Sequence, residues 1–576
     1  MRLSRRVSYL RQQVRRWRCA AKHPKPAVDM SPEKLVAAAS QYLSGYSLAF
    51  LAAQLQSSVR KPKGRRWTAN DRLMALSIYH RSPTTYRFLS KHFALPSPAS
   101  LRRWLKGMQF EPGFCDRVFA CLQEKVNVMS ETEKLVVLCV DEMAIKVDLE
   151  YDKRRDVVDG FEDDGEVRTD KLASEALVFM VKGLCQNWKQ PIAYFLSDGG
   201  MTSTKLRDLL LQCLLKLTDI GLMVKLVVCD QGANNRGLFS KLGICVEQPF
   251  IEFNGVKVFF MFDPPHLLKS IRNNFQKYPV KFSGGIAKWE YVKKLFDMDS
   301  QQKVKVAPKL KLAHILINNF KKMNVRLAAQ VLSHSVAAGI CLYASPLVGL
   351  LPADAASTAD FIEYIDCLFD SCNATSFSDV KVNRRPVTGK SYHMSFWQSA
   401  VQWLGNVQFE GCKSEIYCVN GWRLTLCALM GLWTDLHGKV KFIQTRRVNQ
   451  DCLESFFSSI RRKGGCRDNP SASHFRSAMR QCVANSLLAS DSGGNCEDDG
   501  DKLLLSLNAL AQKTVKSDTV RNAQPSQSQS SLTASSSQFC SVSQQQQPQF
   551  VLQSSSCSVS QQPQFTDFND FWCVKS

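Results

Sequence analysis

Two short apolar runs that each end in an aspartate constrain the fold of this chain more than any other feature. The run Leu-Val-Val-Leu-Cys-Val at residues 135–140 precedes Asp141, and the run Val-Lys-Leu-Val-Val-Cys at residues 224–229 precedes Asp230. Runs rich in β-branched residues without a helical period indicate buried strands. Each aspartate therefore lies where a sheet gives way to a loop, which is a natural position for a metal ligand.

A third acidic position lies far downstream. Asp451 and Glu454 are three residues apart in a stretch whose apolar residues, at 453, 456, 457 and 460, follow helical spacing. Residues three apart share one face of a helix. Taken singly, each strand-terminal aspartate could simply cap the loop that follows it. Their twinned placement, together with the acidic helix, favours a shared catalytic site.

The order of predicted elements indicates a mixed sheet. Three successive strand-like runs occupy residues 135–140, 176–184 and 191–196, and helices then alternate with strands. Hairpin-length links followed by this alternation favour a sheet that is antiparallel first and parallel afterwards, with helices on both faces. This is the order of a ribonuclease H-like domain. The heavily charged residues 152–170 are predicted to form a loop.

In such a domain Asp141 and Asp230 would be neighbours, and with Glu454 they would suit two Mg²⁺ ions for phosphodiester chemistry. Because Glu454 follows far later than the fold needs, we expect a helical insertion. The predicted fold class is an α/β multidomain protein. Its parts are a basic arm at 1–30, a helical region with a helix-turn-helix-like module at 31–128, ribonuclease H-like segments at 129–284 and 441–490, a helical insertion at 285–440 and a Gln/Ser-rich disordered tail at 491–576.

The charge balance points to a polyanionic partner. The chain carries 75 basic against 51 acidic side chains, a net charge of +24 at pH 7, and nucleic acid is the leading candidate. No apolar run approaches the roughly 18 residues of a membrane span, so we expect a protein that is not exported and has no membrane partner. The cysteines lie mostly inside apolar runs, which is typical of reduced core thiols, and their spacing disfavours a structural zinc finger.

The basic arm has three interpretations. Leu10, Val14 and Trp17 fall on one helical stripe between arginines, which predicts a basic amphipathic helix that binds nucleic acid or directs the chain to the nucleus. An Arg-rich, acid-poor start is also typical of mitochondrial transit peptides. A plain solvated helix is the third interpretation.

Helical patterns at residues 70–80, 84–93 and 97–105 follow the order of a helix-turn-helix module, in which the last helix enters a major groove. A three-helix packing module with a solvated basic face is equally favoured. If the module binds DNA, the candidate contacts are Arg102, Arg103 and Lys106.

Basic residues also accompany two other predicted helices. Lys269 and Arg272 are one helical turn apart and could contact a phosphate backbone, although a solvent-facing position is slightly favoured. His266, in the same helix, is predicted to stabilise the helix start rather than to take part in chemistry. The end of the acidic helix is favoured as a DNA contact beside the metal ions. Its basic residues are Arg461, Arg462 and Lys463.

Several motifs occur in a joint order that is far more specific than any one of them. They include Asp141-Glu-Met-Ala-Ile-Lys, Cys229-Asp-Gln-Gly-Ala-Asn-Asn, Asp263-Pro-Pro-His-Leu-Leu-Lys and Asn449-Gln-Asp-Cys-Leu-Glu-Ser-Phe-Phe. In these motifs the chain resembles the P-element transposases and their THAP-containing relatives in animals. The resemblance implies a cut-and-paste DNA transposase in the nucleus, whose partners are transposon ends, target DNA and further copies of itself.

The resemblance also implies roles for individual residues. The implied catalytic carboxylates are Asp141, Asp230, Glu454 and, as a fourth, Asp451, and the first three are the implied metal ligands. The insertion is expected to bind GTP, which organises the DNA complex rather than serving as fuel. The candidate nucleotide contacts are Asp370, Asn373, Lys322 and Asn324. Ordinary helix-end and turn chemistry is the alternative for the first two of these.

The chain departs from the family pattern in one feature, and this feature leaves several functional hypotheses open. Its members usually begin with a zinc finger of three cysteines and one histidine, and Cys19 and His23 alone cannot form it. We therefore expect altered recognition of transposon ends, in a truncated, decayed or host-adopted copy. The hypotheses are an Mg²⁺-dependent DNA transposase, a catalytically silent DNA-binding or regulatory protein, and a nuclease built on the same sheet.

Overall fold

A computed structural model describes most of residues 31–485. The described residues are 31–43, 45–106, 110–153, 155–316, 319–413, 416–463, 469–485 and 502–503, with the single positions 9, 12 and 13. They all belong to one unit, residues 1–520. The predictions for the basic arm and the Gln/Ser-rich tail therefore fall almost entirely outside the described residues.

The N-terminal part of the described chain is helical. Its helices are α1 (Pro32–Ala39), α2 (Gly45–Ser58), α3 (Ala69–Arg81), α4 (Pro83–His92), α5 (Pro98–Lys106) and α6 (Asp116–Val126). Ser31 and Ser82 cap α1 and α4 by accepting hydrogen bonds from backbone N–H groups, and proline follows each cap. The three helices predicted over residues 70–105 are confirmed as α3, α4 and α5. Prolines lie at the turns between them.

A mixed sheet follows, and its strand directions confirm the predicted fold class. In chain order the strands are β1 (Gly113–Phe114), β2 (Leu135–Ala144), β3 (Glu150–Asp152), β4 (Val157–Asp159), β5 (Phe161–Asp163), β6 (Arg168–Leu172), β7 (Glu175–Gly183), β8 (Trp188–Ser197), β9 (Met223–Cys229), β10 (Phe250–Phe253) and β11 (Val256–Phe262). Strands β7 and β8 are antiparallel neighbours after β2, whereas β9 and β11 lie parallel on its other side. The linking helices are α7 (Ser203–Asp219), α8 (Ala233–Lys241) and α9 (Pro264–Phe275).

The charged residues 152–170 form strands, so the prediction of a loop there is wrong. Strands β3 and β4 pair as a separate ribbon, and β5 and β6 extend the main sheet beyond β8. Several of the charges are paired, among them Arg155 and Asp159. Asp159 is buried and accepts hydrogen bonds from Arg155 and from Arg476 of the last described helix. Such pairing requires a residue far along the chain, which local sequence pattern does not reveal.

The insertion is mostly helical, as predicted. A small sheet of β12 (Val280–Phe282), β13 (Gly285–Ala287) and β14 (Gln408–Phe409) joins its beginning to its end. Its helices are α10 (Trp289–Ser300), α11 (Leu312–Ile315), α12 (Asn319–Lys322), α13 (Val325–Val331), α14 (His334–Ala344), α15 (Ala355–Ser371) and α16 (His393–Gly405). Helices α13 and α14 are separated by Leu332 and Ser333.

The helix α17 (Tyr417–Leu436) belongs by its contacts to the main sheet, although its residues fall inside the predicted insertion range. The Thr425 hydroxyl donates to the carbonyl of Phe262 in β11. Lys225 in β9 pairs with Asp435 at 2.8 Å. The chain then continues into α18 (Asp451–Arg462) and α19 (Ala472–Asn485), and ends its described part in β15 (Lys502–Leu503) beside β8.

By length and composition, Val325–Ala344 is the one described segment that could cross a membrane. The structure divides it into α13 and α14. Val331, Val336 and Ile340 within it are buried in the core. Apolar helices that pack inside a domain pass the same compositional test.

Candidate active site

Asp141 and Asp230 lie side by side because their strands are parallel neighbours. In the register of β2 and β9, Cys139 is paired with Val228. Asp141 and Asp230 each follow two residues later, so their side chains lie at the same edge of the sheet. Both line one cavity of about 240 Å³.

Glu454 reaches this edge from α18, which is held against β2 and α9 by one glutamine. The side chain of Gln450 donates to the carbonyl of Val140 at 2.5 Å, and its backbone N–H donates to the Asp263 carboxylate at 2.8 Å. Cys452 packs against Cys139 with their sulfur atoms 3.5 Å apart. The acidic helix therefore lies on the strand that carries Asp141.

His266 lies between two of the acids. Its Nε2 is 2.8 Å from Glu454 Oε1, and its Nδ1 is 4.0 Å from Asp230 Oδ2. Its backbone N–H donates to Asp263, the N-cap of α9. The helix start is thus capped by Asp263, and the imidazole ring of His266 joins the acidic cluster. We define this cluster as Asp141, Asp230, Asp263, Glu454 and His266.

Burial and the neighbouring charges shift the pKa values of Asp141 and His266 in this cluster. Burial raises the pKa of Asp141 to about 8, and the charges of Asp230 and Glu454 contribute, while His266 opposes the shift. Burial alone would lower the pKa of His266, but the hydrogen bond to Glu454 and the charges of Asp263 and Glu454 raise it to about 9. Perturbed pKa values of this kind are typical of functional sites.

Asp451, the implied fourth carboxylate, lies on the same helix but has other partners. It accepts a hydrogen bond from the Asn449 side chain at 2.9 Å and lies 3.6 Å from Arg446 Nε. Burial raises its pKa to about 7, and the charge of Asp263 adds to this shift.

The donor types at this site fit a hard divalent cation. Asp141, Asp230 and Glu454 offer carboxylate oxygens, the ligands that Mg²⁺ prefers. Among the described residues, no three His, Cys, Asp or Glu side chains stand close enough to hold one ion, and the ring of His266 lies between Asp230 and Glu454. The pair Asp141 and Asp230 therefore forms the candidate cation site in this arrangement.

Two residues that sequence reasoning missed lie beside the acids. Asn235 donates to Asp230 Oδ1 at 2.6 Å. Glu142 lines the same cavity as Asp141 and accepts a hydrogen bond from the backbone N–H of Met201 at 2.7 Å. The signal for both was present, since each lies within a motif quoted for an aspartate.

The candidate DNA contacts fall into three groups. Arg102 and Arg103 are exposed on α5, whereas the side chain of Lys106 lies outside the described residues. The basic end of α18 is half-buried, and Arg462 donates to Ser458 within its own helix. These residues are Arg461, Arg462 and Lys463.

The third group, Lys269 and Arg272, is buried, so both predicted environments for it, the DNA backbone and the solvent, are wrong. The Arg272 guanidinium donates to the carbonyl oxygen of Lys322 at 2.9 Å, and burial lowers its pKa to about 10. The insertion covers this face of α9. The helical spacing of Lys269 and Arg272 does not predict that a distant segment of the chain will cover this face of α9.

The candidate nucleotide contacts lie in the insertion. Asp370 is buried at the end of α15, where the ammonium group of Lys381 lies 2.6 Å from it and from Asp366. The backbone N–H of Asn373 donates to the carbonyl of Asp370. Asn324 caps α13, and the carbonyl of Lys322 accepts from Arg272.

Three family models match the chain in the order that the structure shows. They are the TNP-like RNase H N-terminal domain at residues 110–243, the TNP-like GTP-binding insertion domain at 265–385 and the TNP-like RNase H C-terminal domain at 447–480. The Transposable element P transposase of Drosophila melanogaster is 26% identical over 448 residues, which cover 76% of this chain and 57% of that protein. The chain belongs to the P-element transposase family.

Human DNA transposase THAP9 is 29% identical over 323 residues, which cover 54% of the chain and 35% of THAP9. The chain thus spans about half or less of the length of these two relatives. The solved Drosophila P element transposase strand transfer complex is 24% identical, with a TM-score of 0.67 over 78% of this chain and 97% of that one. This match shows that the two share a fold. The predicted family and fold class are confirmed.

Proposed function

We propose that this member of the P-element transposase family is a DNA transposase that cuts and joins phosphodiesters. The observation that carries the proposal is the convergence of Asp141, Asp230 and Glu454 from β2, β9 and α18 onto one cluster around His266. Family membership supports the same reaction class. We extend the proposal to transposon-end and target DNA as substrates, to a homo-oligomer on DNA, and to the nucleus.

Asp141 and Asp230 would hold Mg²⁺ at their shared edge of the sheet, and Glu454 would join them on releasing His266, with Asp451 as the fourth candidate. At these carboxylates Mg²⁺ would supply Lewis-acid activation of the attacking hydroxyl and charge stabilisation of the leaving oxygen. The protein orients the carboxylates for this role: Asn235 holds one oxygen of Asp230, and Gln450 fixes α18 on the strand of Asp141. His266 supplies positive charge at Glu454, which limits repulsion among the acids.

The basic side chains around the acids support a DNA path. Arg461, Arg462 and Lys463 end the helix that carries Glu454, so DNA held there would lie close to the acids. We propose that Arg102, Arg103 and Lys106 of the N-terminal helices contact the same DNA away from the acids. The buried pair Lys269 and Arg272 is excluded from this set.

We further propose that the insertion binds GTP, in keeping with its match to the TNP-like GTP-binding insertion domain. Asp370 and Asn373 are the contacts that we propose, with Lys322 and Asn324 beside them. A buried carboxylate can select guanine by accepting hydrogen bonds from its ring and amino N–H groups. Because Asp370 is paired with the ammonium group of Lys381, it must release that group before it can accept hydrogen bonds from the nucleotide.

The catalytic proposal is tested with the full-length protein, Mg²⁺ and supercoiled plasmid. Nicking of the plasmid and joining of an added 3′-hydroxyl oligonucleotide are measured separately. Asp141→Asn, Asp230→Asn and Glu454→Gln should each abolish both activities. Glu131→Gln, at an exposed carboxylate outside the cluster, should retain them. Undiminished activity in Asp230→Asn refutes the assignment, and nicking without joining indicates a nuclease.

A catalytically silent DNA-binding protein is the second candidate. The hydrogen bond between His266 and Glu454 favours it, because in that arrangement Glu454 does not face a shared cation with Asp141 and Asp230. This candidate predicts salt-sensitive DNA binding with no strand cleavage under Mg²⁺ or Mn²⁺.

A further inference from the structure

A second cavity also has Asp230 in its lining. It measures about 460 Å³ and lies between α8, α9 and α17. We name it the α9 cleft and define it by Arg236, Ser270, Asn274, Lys277 and Tyr417. Its volume is within the roughly 300–1,000 Å³ of sites that hold one organic ligand. The chemistry proposed above uses none of these five residues.

The floor of the cleft is a polar stripe that starts at the acidic cluster. His266, Ser270 and Asn274 recur at four-residue spacing, so they share one face of α9 and span about 12 Å at the helical rise of 1.5 Å per residue. The amide of Asn274 donates to the carbonyl of Ser270 at 2.9 Å. Lys277 follows just beyond the C-terminal end of α9 and is exposed. A ligand bound along this stripe would extend from the acidic cluster to the cationic side chain of Lys277.

The opposite wall presents a stacked cation and aromatic ring. The Arg236 guanidinium carbon lies 3.8 Å from the centre of the Tyr417 ring. Gln231 holds both in place, because its carbonyl accepts from Arg236 at 2.9 Å and its amide donates to the Tyr417 carbonyl at 2.6 Å. The Tyr417 side chain nevertheless remains 43% exposed. This wall is a guanidinium–tyrosine pair that is held in place and partly exposed to a ligand.

The chemistry of the cleft selects an anion with a planar ring. Arg236 and Lys277 carry positive charge, and Asp230, at the acidic cluster, is the one carboxylate among the described lining residues. Guanidinium and tyrosine planes stack on nucleic-acid bases, and lysine contacts phosphate. Both faces of a base inside a duplex are covered by its neighbours, so this surface fits an unpaired base.

We propose that the α9 cleft binds an unpaired nucleotide of the DNA strand that flanks the phosphodiester at the acidic cluster. The proposal rests on the proposed function, because it takes the acids as the site of the reacting phosphate. The base stacks on the Arg236–Tyr417 wall, Ser270 and Asn274 offer hydrogen bonds to it, and Lys277 contacts the adjoining phosphate.

The test measures binding of the full-length protein to a short fluorescent oligo(dT) in EDTA, by anisotropy. Tyr417→Ala should weaken binding by about ten-fold, the range of one base–aromatic stack, whereas Tyr417→Phe keeps the ring and should bind normally. Lys277→Gln, at an exposed position, should reduce the slope of log affinity against log salt by about 0.7. An abasic strand should bind wild type and Tyr417→Ala equally.

Four outcomes overturn the proposal. They are an unchanged affinity in Tyr417→Ala, an equal loss of affinity for blunt duplex, displacement of the oligonucleotide by free GTP, and tighter binding of an RNA strand of the same sequence. Because binding is measured without divalent metal, it is independent of catalysis. If Asp230→Asn retained cleavage while Tyr417→Ala lost single-strand binding, the catalytic assignment would fail, and the cleft would stand as a single-strand site without its link to the reacting phosphate.

Discussion

His266 Nε2 lies 2.8 Å from Glu454 Oε1, although 188 residues separate the two along the chain. The contact joins the start of α9 to the acidic helix α18, and His266 also lies 4.0 Å from Asp230. A protonated imidazole thus supplies positive charge where acids from three elements meet. The arrangement accounts for the raised pKa of His266 and defines how the cluster responds to pH and to cations.

We expect the His266–Glu454 contact to stabilise the fold in a pH-dependent manner. The folded pKa of His266 is raised to about 9, above its unfolded value of about 6.5. Its contribution is therefore complete below pH 6.5 and is lost as the pH rises through 9. A hydrogen bond between charged groups contributes about 1.5–3 kcal/mol. Thermal unfolding of His266→Gln, Glu454→Gln and the double variant in EDTA should show this coupling at pH 6.5 and little of it at pH 10. Additive losses at pH 6.5 would contradict the expectation.

Asp141→Asn should stabilise the metal-free protein, and increasingly so at higher pH. The folded pKa of Asp141 is raised to about 8, so stability falls as the pH rises from the unfolded value of about 3.9 to the folded value. Asparagine carries no such penalty. The gain in Tm of the variant over wild type, measured in EDTA, should grow between pH 6 and pH 9. Saturating Mg²⁺ should raise the Tm of wild type but not of the variant. A gain that is independent of pH would exclude the carboxyl as its source.

Arg272→Ala should lower stability rather than act through DNA. The buried guanidinium donates to the carbonyl of Lys322, and leaving such an acceptor unsatisfied costs about 1–3 kcal/mol. Circular dichroism should therefore show a lower Tm, while the salt dependence of duplex binding stays as in wild type. Arg461→Gln serves as the comparison, because loss of one phosphate contact should reduce that slope by about 0.9. A reduced salt slope of duplex binding in Arg272→Ala would instead identify Arg272 as a DNA contact.

Asp370→Asn should weaken GTP binding by about ten-fold or more, since a hydrogen bond to a charged group is worth about 1.5–3 kcal/mol. Asp366→Asn is the matched control. Asp366 is buried and lies as close to Lys381 Nζ as Asp370 does, at 2.6 Å, but it is not a proposed nucleotide contact. Isothermal titration with GTP should separate the two variants. Equal losses in both would show that the effect arises from Lys381 instead.

Local patterns were sufficient for the central strands, for the N-terminal helices and for the positions of Asp141 and Asp230 at strand ends. The run before Asp141 and the run before Asp230 have the composition of buried strands, and the parallel register of β2 and β9 follows from the element order. Ser31 and Ser82 each precede a proline and cap a helix, which is also a local pattern. These features depend on neighbouring residues or on general rules of strand connection, so the sequence carries them directly.

Other features depended on contacts between distant segments. Arg272 fits a surface stripe by its spacing, yet the insertion covers it. The charged segment at 152–170 resembles a loop until Arg476 pairs with Asp159. Helix α17 follows the insertion in sequence but packs against the main sheet through Thr425. In each case the deciding partner lies far away in the chain.

The amino-acid sequence by itself determined the family, the mixed sheet and the interrupting insertion, and it predicted the acids, because periodicity and motif order can be read along the chain. Only the tertiary structure decided that His266 lies between Asp230 and Glu454, that Arg272 is buried, and that Arg236 stacks on Tyr417 beside the acids. The physical reason is that charge pairing, burial and stacking act over a few ångströms in space, whatever the separation along the chain.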